Sequence, residues 1–114
     1  MNQKLNKKNK IKKRNDFINI KKEGSKKRAD NILLLFRKNE KNKARIGIIV
    51  TKKTGNAVIR NKWKRSIREI FRKKFKTKYI GYDLLFIVTR KKDEKETLSI
   101  SQMVNKDMLK LLNA

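Results

Sequence analysis

Apolar residues recur along this chain in two rhythms, and each change of rhythm marks an element. Between residues 59 and 71 the period is helical. At about 100° per residue, Ile59, Trp63, Ile67, Ile70 and Phe71 fall within roughly one third of the circumference, which predicts a long helix over 57–76. Thr54-Gly55-Asn56 before it is turn chemistry, and Asn56 is placed to cap the helix by accepting a bond from a free backbone N–H. Residues 31–38 (NILLLFRK) and 44–51 (ARIGIIVT) contain apolar runs of strand length, the second rich in β-branched side chains. The polar linker 39–43 predicts that these two strands pair as an antiparallel hairpin. Gly47 within the second run points to a bulge or to close approach by another backbone. A third strand is predicted at 84–89, after the turn residues Gly81-Tyr82-Asp83. Residues 25–30 are too polar to decide between strand and loop.

Near the start, Phe17, Ile18 and Ile20 followed by Gly24 predict a short helix over 13–22. Near the end, Ile100, Val104, Met108 and Leu111 repeat at helical spacing. Ser99 with Gln102 three residues later resembles a capping box, so a final helix is expected over 99–112. Residues 1–10 read as a flexible basic arm and 91–96 as a charged loop. The order helix, strands, helix, strand, helix makes 11–114 a single α+β domain whose helices cover a sheet.

Charge changes the picture most. Thirty-five Lys and Arg face ten Asp and Glu in 114 residues, a net charge of +25. Solubility asks for about 2 to 8 charges on a small domain. An excess this large adds self-repulsion and is best explained by a partner that neutralises it. Nucleic acid fits, because its regular phosphates release counterions on binding. A membrane surface fits less well: the chain has no apolar run near 18 residues and no signal-peptide or lipidation pattern. The bases belong to the body of the domain, since the last 24 residues hold only five of them together with four acids. With no Cys and no His, disulfides, thiol nucleophiles and imidazole bases are excluded, and a reducing cytoplasmic setting is expected. The Lys, Asn and Ile bias also fits an AT-rich genome, so single lysines of the arm carry little meaning.

The long helix concentrates the charge. Opposite its apolar stripe stand Asn61, Lys64, Arg65, Arg68 and Arg72, with only Glu69 at the margin. Lys64–Arg68 and Arg68–Arg72 are like-charge pairs at i, i+4, which destabilise an isolated helix. A merely solvated face has no reason to keep them, so this one is read as a polyanion-binding surface. Trp63 is read as core. Phe17, judged by its helix alone, is also an ordinary core aromatic.

Residues 45–72, RIGIIVTKKTGNAVIRNKWKRSIREIFR, resemble the protein subunit of bacterial ribonuclease P. The resemblance rests on Arg45, Gly47, Val50, Lys52, Lys53, Gly55, Ala57, Val58, Arg60, Asn61, Lys64, Arg65, Arg68 and Glu69 at ungapped spacing, with Thr51 in place of a serine. It extends by element order over about residues 11–112. Two positions depart from the pattern. Lys62 replaces an arginine and loses the planar fork that grips phosphate. Lys21 stands where many members carry a second aromatic one turn after Phe17.

The resemblance implies an αβββαβα two-layer sandwich, related to a small-subunit ribosomal protein domain. Its sheet would have four strands, with a left-handed βαβ crossover against the general right-handed rule. It also implies a noncatalytic role: a protein that assists a catalytic RNA subunit in removing the 5′ leader of precursor tRNA. Mg²⁺ would be bound mainly by that RNA, and none by the protein alone. The sequence agrees that no protein active site is expected, because the only acidic cluster, Asp93, Glu94 and Glu96, lies in a charged loop.

The residues that would dock on the RNA subunit are Lys53, Arg60, Asn61, Lys62, Lys64, Arg65, Arg68 and Arg72. With the resemblance, Phe17 shifts from core to a leader-binding cleft between the first helix and the open sheet face. Lys52 and Arg90, at strand ends, would border that cleft. The competing reading is a ribosomal or other structured-RNA-binding protein without a processing role. A helix-turn-helix DNA binder is disfavoured by the flanking strands.

Overall fold

The computed structural model describes residues 10–11, 14–92 and 98–113. Eight elements follow the chain: α1 (Arg14–Glu23), β1 (Ser25–Arg28), β2 (Ile32–Lys38), β3 (Arg45–Val50), α2 (Ala57–Ile70), a π-helical turn (Phe71–Phe75), β4 (Tyr82–Val88) and α3 (Ile100–Asn113). The fold is α+β, and the polar stretch after α1 does form a strand. Residues 1–9 of the expected arm lie outside the described residues, as does most of the charged loop with Asp93, Glu94 and Glu96. The arm's last residue, Lys10, pairs with Ile46 as a parallel bridge, and the Ile11 N–H donates to the Ile46 carbonyl at 2.9 Å.

The expected β2–β3 hairpin does not form. The sheet order is β1-β2-β4-β3: β4 lies between them, antiparallel to β2 and parallel to β3. The reason lies in burial. Leu84, Leu85 and Phe86 of β4 are fully buried, apolar on both faces, so this strand belongs where both edges and both faces are covered. The 39–43 linker has only to span two strand spacings, roughly 10 Å, within easy reach of five residues. It is tied to the turn before β4: the Asn39 N–H donates to the Gly81 carbonyl, and the Gly81 N–H to that of Lys43. Helix α2 is then the crossover of a parallel β3–α2–β4 unit.

Local signals survive intact. The Asn56 side chain accepts the Ile59 N–H at 3.0 Å. Gly55 (φ 156°) brings the chain so close that a methyl there would lie 2.8 Å from Ile59 Cγ2. Ser99 and Gln102 cap α3 reciprocally, at 2.8 and 3.2 Å. The long helix differs only at its end, where it widens into the π turn and the Lys76 N–H reaches back to the Phe71 carbonyl. Phe71 and Phe75 are thereby both fully buried, and Phe75 meets Phe86 edge to face at 5.6 Å.

The two sheet faces differ. Helices α2 and α3 close one face over a large core that includes Trp63, Ile67, Phe71, Leu84, Phe86 and Met108. Among the described residues, α1 is the one helix on the other face, and the buried cluster there is Ile11, Ile20, Leu35 and Leu85.

Candidate RNA interface

Strand register arranges the α1 side in three transverse rows. The first is Arg37, Asp83 and Arg45; the second is Lys26, Leu35, Leu85 and Gly47; the third is Arg28, Leu33, Ile87 and Ile49. Arg45 donates to the Asp83 carboxylate through Nε (2.7 Å) and Nη2 (2.6 Å), and to Asp16 of α1 at 3.3 Å. The Asp83 hydrogen bonds raise the arginine's already high pKa further. The second row lies beneath α1. In the third, Leu33, Ile87 and Ile49 are only half-buried, an apolar floor with a cation, Arg28, at its end. This floor was not read from the sequence. Its signal was there: strands apolar on both faces exceed what one ten-residue helix covers.

Phe17 is half-buried and lines a cavity of about 190 Å³ at the β3 edge. A methyl at Gly47 would lie 2.7 Å from Phe17 Cε1 and 3.1 Å from Leu85 Cδ1. The close approach expected at Gly47 is therefore made by an aromatic ring rather than by a backbone. Lys10, Lys64 and Arg68 share this cavity with Phe17. Two cations of the long helix thus face the aromatic that the sequence assigned to a separate surface.

Along α2 the apolar stripe lies as expected. Trp63, Ile67 and Phe71 are buried, and Ile59 and Ile70 half-buried. Opposite, Asn61, Lys62, Arg65 and Arg68 are exposed, while Arg60, Lys64 and Arg72 are half-buried. The marginal acid Glu69 pairs with Lys73 at 3.3 Å, off the basic face. The Nε atoms of Arg60 and Arg72 are buried without a hydrogen-bond partner in the free protein. Lys52 and Lys53 are exposed in the turn after β3. Arg90 follows β4, and its Nη1 donates to Asn31 Oδ1 at 2.9 Å. Arg90 lines a different groove, with Ile59, Trp63 and Met103 on the α2–α3 side. The structure therefore brings Phe17 together with Lys64 and Arg68, and not with Arg90.

Among the described residues no group of three or more His, Cys, Asp or Glu is placed to hold a metal ion, and no helix is long and apolar enough to cross a membrane. What remains is a half-open sheet face with one aromatic, apolar floor residues and cations converging from a neighbouring helix. Aromatic rings and cations in such an arrangement have the chemistry to stack bases and neutralise phosphates.

Fold and site together define a small basic α+β RNA-binding protein. The Ribonuclease P family pattern matches residues 5–112. The ribonuclease P protein component of Thermotoga petrophila is 35% identical over 112 residues, covering 98% of this chain and 96% of its own. That of Clostridium kluyveri is 38% identical over 105 residues, covering 88% and 90%. Among solved structures, the RNase P protein of Thermotoga maritima in complex with 1-(4-fluorophenyl)-2-thiourea superposes with a TM-score of 0.75 at 40% identity, covering 87% of this chain and 92% of that one. The Staphylococcus aureus RNase P protein does so at 0.72 and 33% identity, covering 90% and 94%. The chain belongs to the bacterial ribonuclease P protein family. It is a protein component of ribonuclease P, an RNA-binding subunit of that endoribonuclease holoenzyme acting in tRNA processing.

Proposed function

We propose that the protein assists the catalytic RNA of ribonuclease P by two linked contacts. The exposed cations of α2 dock on the RNA subunit, among them Lys62 and Arg65, which are not among the residues lining the Phe17 cavity. Phe17 and the half-open row Leu33, Ile87 and Ile49 receive the single-stranded 5′ leader of precursor tRNA. The observation that carries this reading is the Phe17 cavity, where an accessible ring stands beside Lys64 and Arg68. One nucleotide can stack on the ring while its phosphates meet the cations. Because α2 supplies both surfaces, leader and RNA subunit are held in a fixed relation by one rigid element. The leader is what distinguishes precursor from product, so binding it favours substrate selectively.

Mg²⁺ is assigned to the RNA subunit. The protein's part is positive charge, which lessens repulsion among crowded phosphates and eases Mg²⁺ binding by the RNA at modest salt. Lys52 and Lys53, exposed in the turn after β3, extend the basic surface beyond the floor, whereas Arg90 lines the groove on the α2–α3 side.

The test is reconstitution with a bacterial ribonuclease P RNA at low Mg²⁺, using precursor tRNA with and without its leader. The protein should stimulate cleavage over RNA alone and bind the leader-bearing substrate preferentially. Phe17→Ala should remove about tenfold or more of that preference, the scale of one lost base stack. An unchanged preference would defeat the leader assignment.

A further inference from the structure

Arg45 and Gly47 lie two residues apart on β3 and so face the same side of the sheet. Asp16 and Phe17 are consecutive on α1. The four residues meet in pairs: Arg45 Nη2 bonds Asp16 Oδ2 at 3.3 Å, and the edge of the Phe17 ring lies over the Cα of Gly47. In so basic a protein, an arginine near the sheet edge invites assignment to RNA. Its side chain is only 11% exposed, however, and its Nε and Nη2 are spent on Asp83 and Asp16. Two of the chain's ten acids hold this one cation.

Elsewhere α1 is held through its second half. Ile20 is buried against Leu35 and Leu85, and Glu23 pairs with Arg37 at 3.1 Å in a more exposed setting. The Asp16–Arg45 bridge therefore sets where the first turns of α1 sit on the sheet. The missing side chain at Gly47 sets how deep the Phe17 ring can settle.

We propose that Arg45, Gly47 and Asp16 form a positioning seat for Phe17, fixing the depth of the cavity it shares with Lys64 and Arg68. This proposal rests on the leader-binding reading. Arg45 and Gly47 contribute to recognition through the ring and without touching RNA. The seat explains why a short helix with one large aromatic, and Lys21 in place of a second, presents that ring in a defined place. A base that stacks on it meets the α2 cations at a fixed distance.

The experiment uses the full chain reconstituted with a bacterial ribonuclease P RNA. It measures affinity for the RNA subunit, for precursor tRNA and for mature tRNA. Asp16→Asn and Gly47→Ala should each lower the precursor-to-mature affinity ratio by about three- to tenfold, less than a full lost stack. RNA-subunit affinity should stay within about twofold, because the exposed α2 cations are untouched. In a Phe17→Ala background neither change should lower the ratio further, since both act through the ring. Asp16 is 27% exposed, so Asp16→Asn keeps the test readable should Gly47→Ala not fold. Losses that add to that of Phe17→Ala would overturn the seat. So would an unchanged ratio in Asp16→Asn while Phe17→Ala lowers it. If Phe17→Ala itself leaves the ratio unchanged, the leader reading fails and the seat loses its function with it.

Discussion

The two faces of the sheet are built from the same strands but to opposite ends. On the α2–α3 side, Leu34, Leu84, Phe86 and Val88 are buried under Trp63, Ile67, Phe71 and Met108, and the layer is closed. On the α1 side, one short helix covers Leu35, Leu85 and Gly47 and leaves Leu33, Ile49 and Ile87 half open. The closed face supplies stability, and that stability keeps an apolar floor from collapsing onto something else. An open, partly apolar face beside cations is an unfavourable surface for a free monomer. On the leader-binding reading proposed above, a base and its phosphates cover it. Neighbouring residues of one strand, Phe86 and Ile87, thus do different work because the pleat points them to different layers.

That contrast can be broken most forcefully at Phe86. Phe86→Ala opens a cavity in the closed layer and should cost about 3–5 kcal/mol, read as a lower denaturant midpoint at unchanged slope. Ile87→Ala, one residue away on the half-open floor, should cost only about 1–2 kcal/mol, since less of its surface is buried to begin with. It should instead lower precursor affinity while mature tRNA binds as before. If the two substitutions destabilise equally, the faces are not functionally distinct.

Arg65→Ala sharpens the comparison from outside both layers. With the side chain exposed, stability should move by less than about 0.5 kcal/mol. Affinity for the RNA subunit should fall, and the slope of log affinity against log salt should flatten by about one. Titrating salt with the parent and the variant side by side checks this.

The smallest effect sits at the far edge of the closed layer. Asp107 of α3 is 1% exposed and accepts the Asn31 N–H at 2.7 Å. Burial raises its carboxyl pKa above the ordinary value; the Asn31 hydrogen bonds and Lys106 oppose the shift, and Asp30 adds to it. The folded chain therefore holds this proton more tightly than the unfolded one. Stability from this group is present below the ordinary carboxylate pKa and is lost as pH rises through the raised one. Asp107→Asn keeps an acceptor and removes the titration. Relative to the parent, its urea midpoint should gain as pH rises from the ordinary carboxylate range through the raised pKa of the buried carboxyl. A pH-independent difference would show that burial does not govern this carboxylate.

What was legible in the sequence was local. The Asn56 cap, the Ser99–Gln102 box, the apolar stripe from Ile59 to Phe71 and the basic face behind it depend on residues within a turn or two of each other, so periodicity records them directly. The ungapped 45–72 motif carried the family for the same reason. Strand partners were not legible. The 39–43 linker fits a hairpin by every short-range rule, yet the antiparallel β2–β3 pairing lost to β4, whose two apolar faces need the central place. Gly47 announced a close approach without naming the partner, because Phe17 lies 30 positions earlier and only the packing of α1 brings it there. The convergence of Lys64 and Arg68 on Phe17, and the turning of Arg90 toward the α2–α3 side, were decided by the same nonlocal competition for burial. The sequence alone determined which elements form and that their outer surface seeks a polyanion. Only tertiary structure decided which of those residues share one cleft, because contacts between distant segments are settled by the packing of the whole sheet.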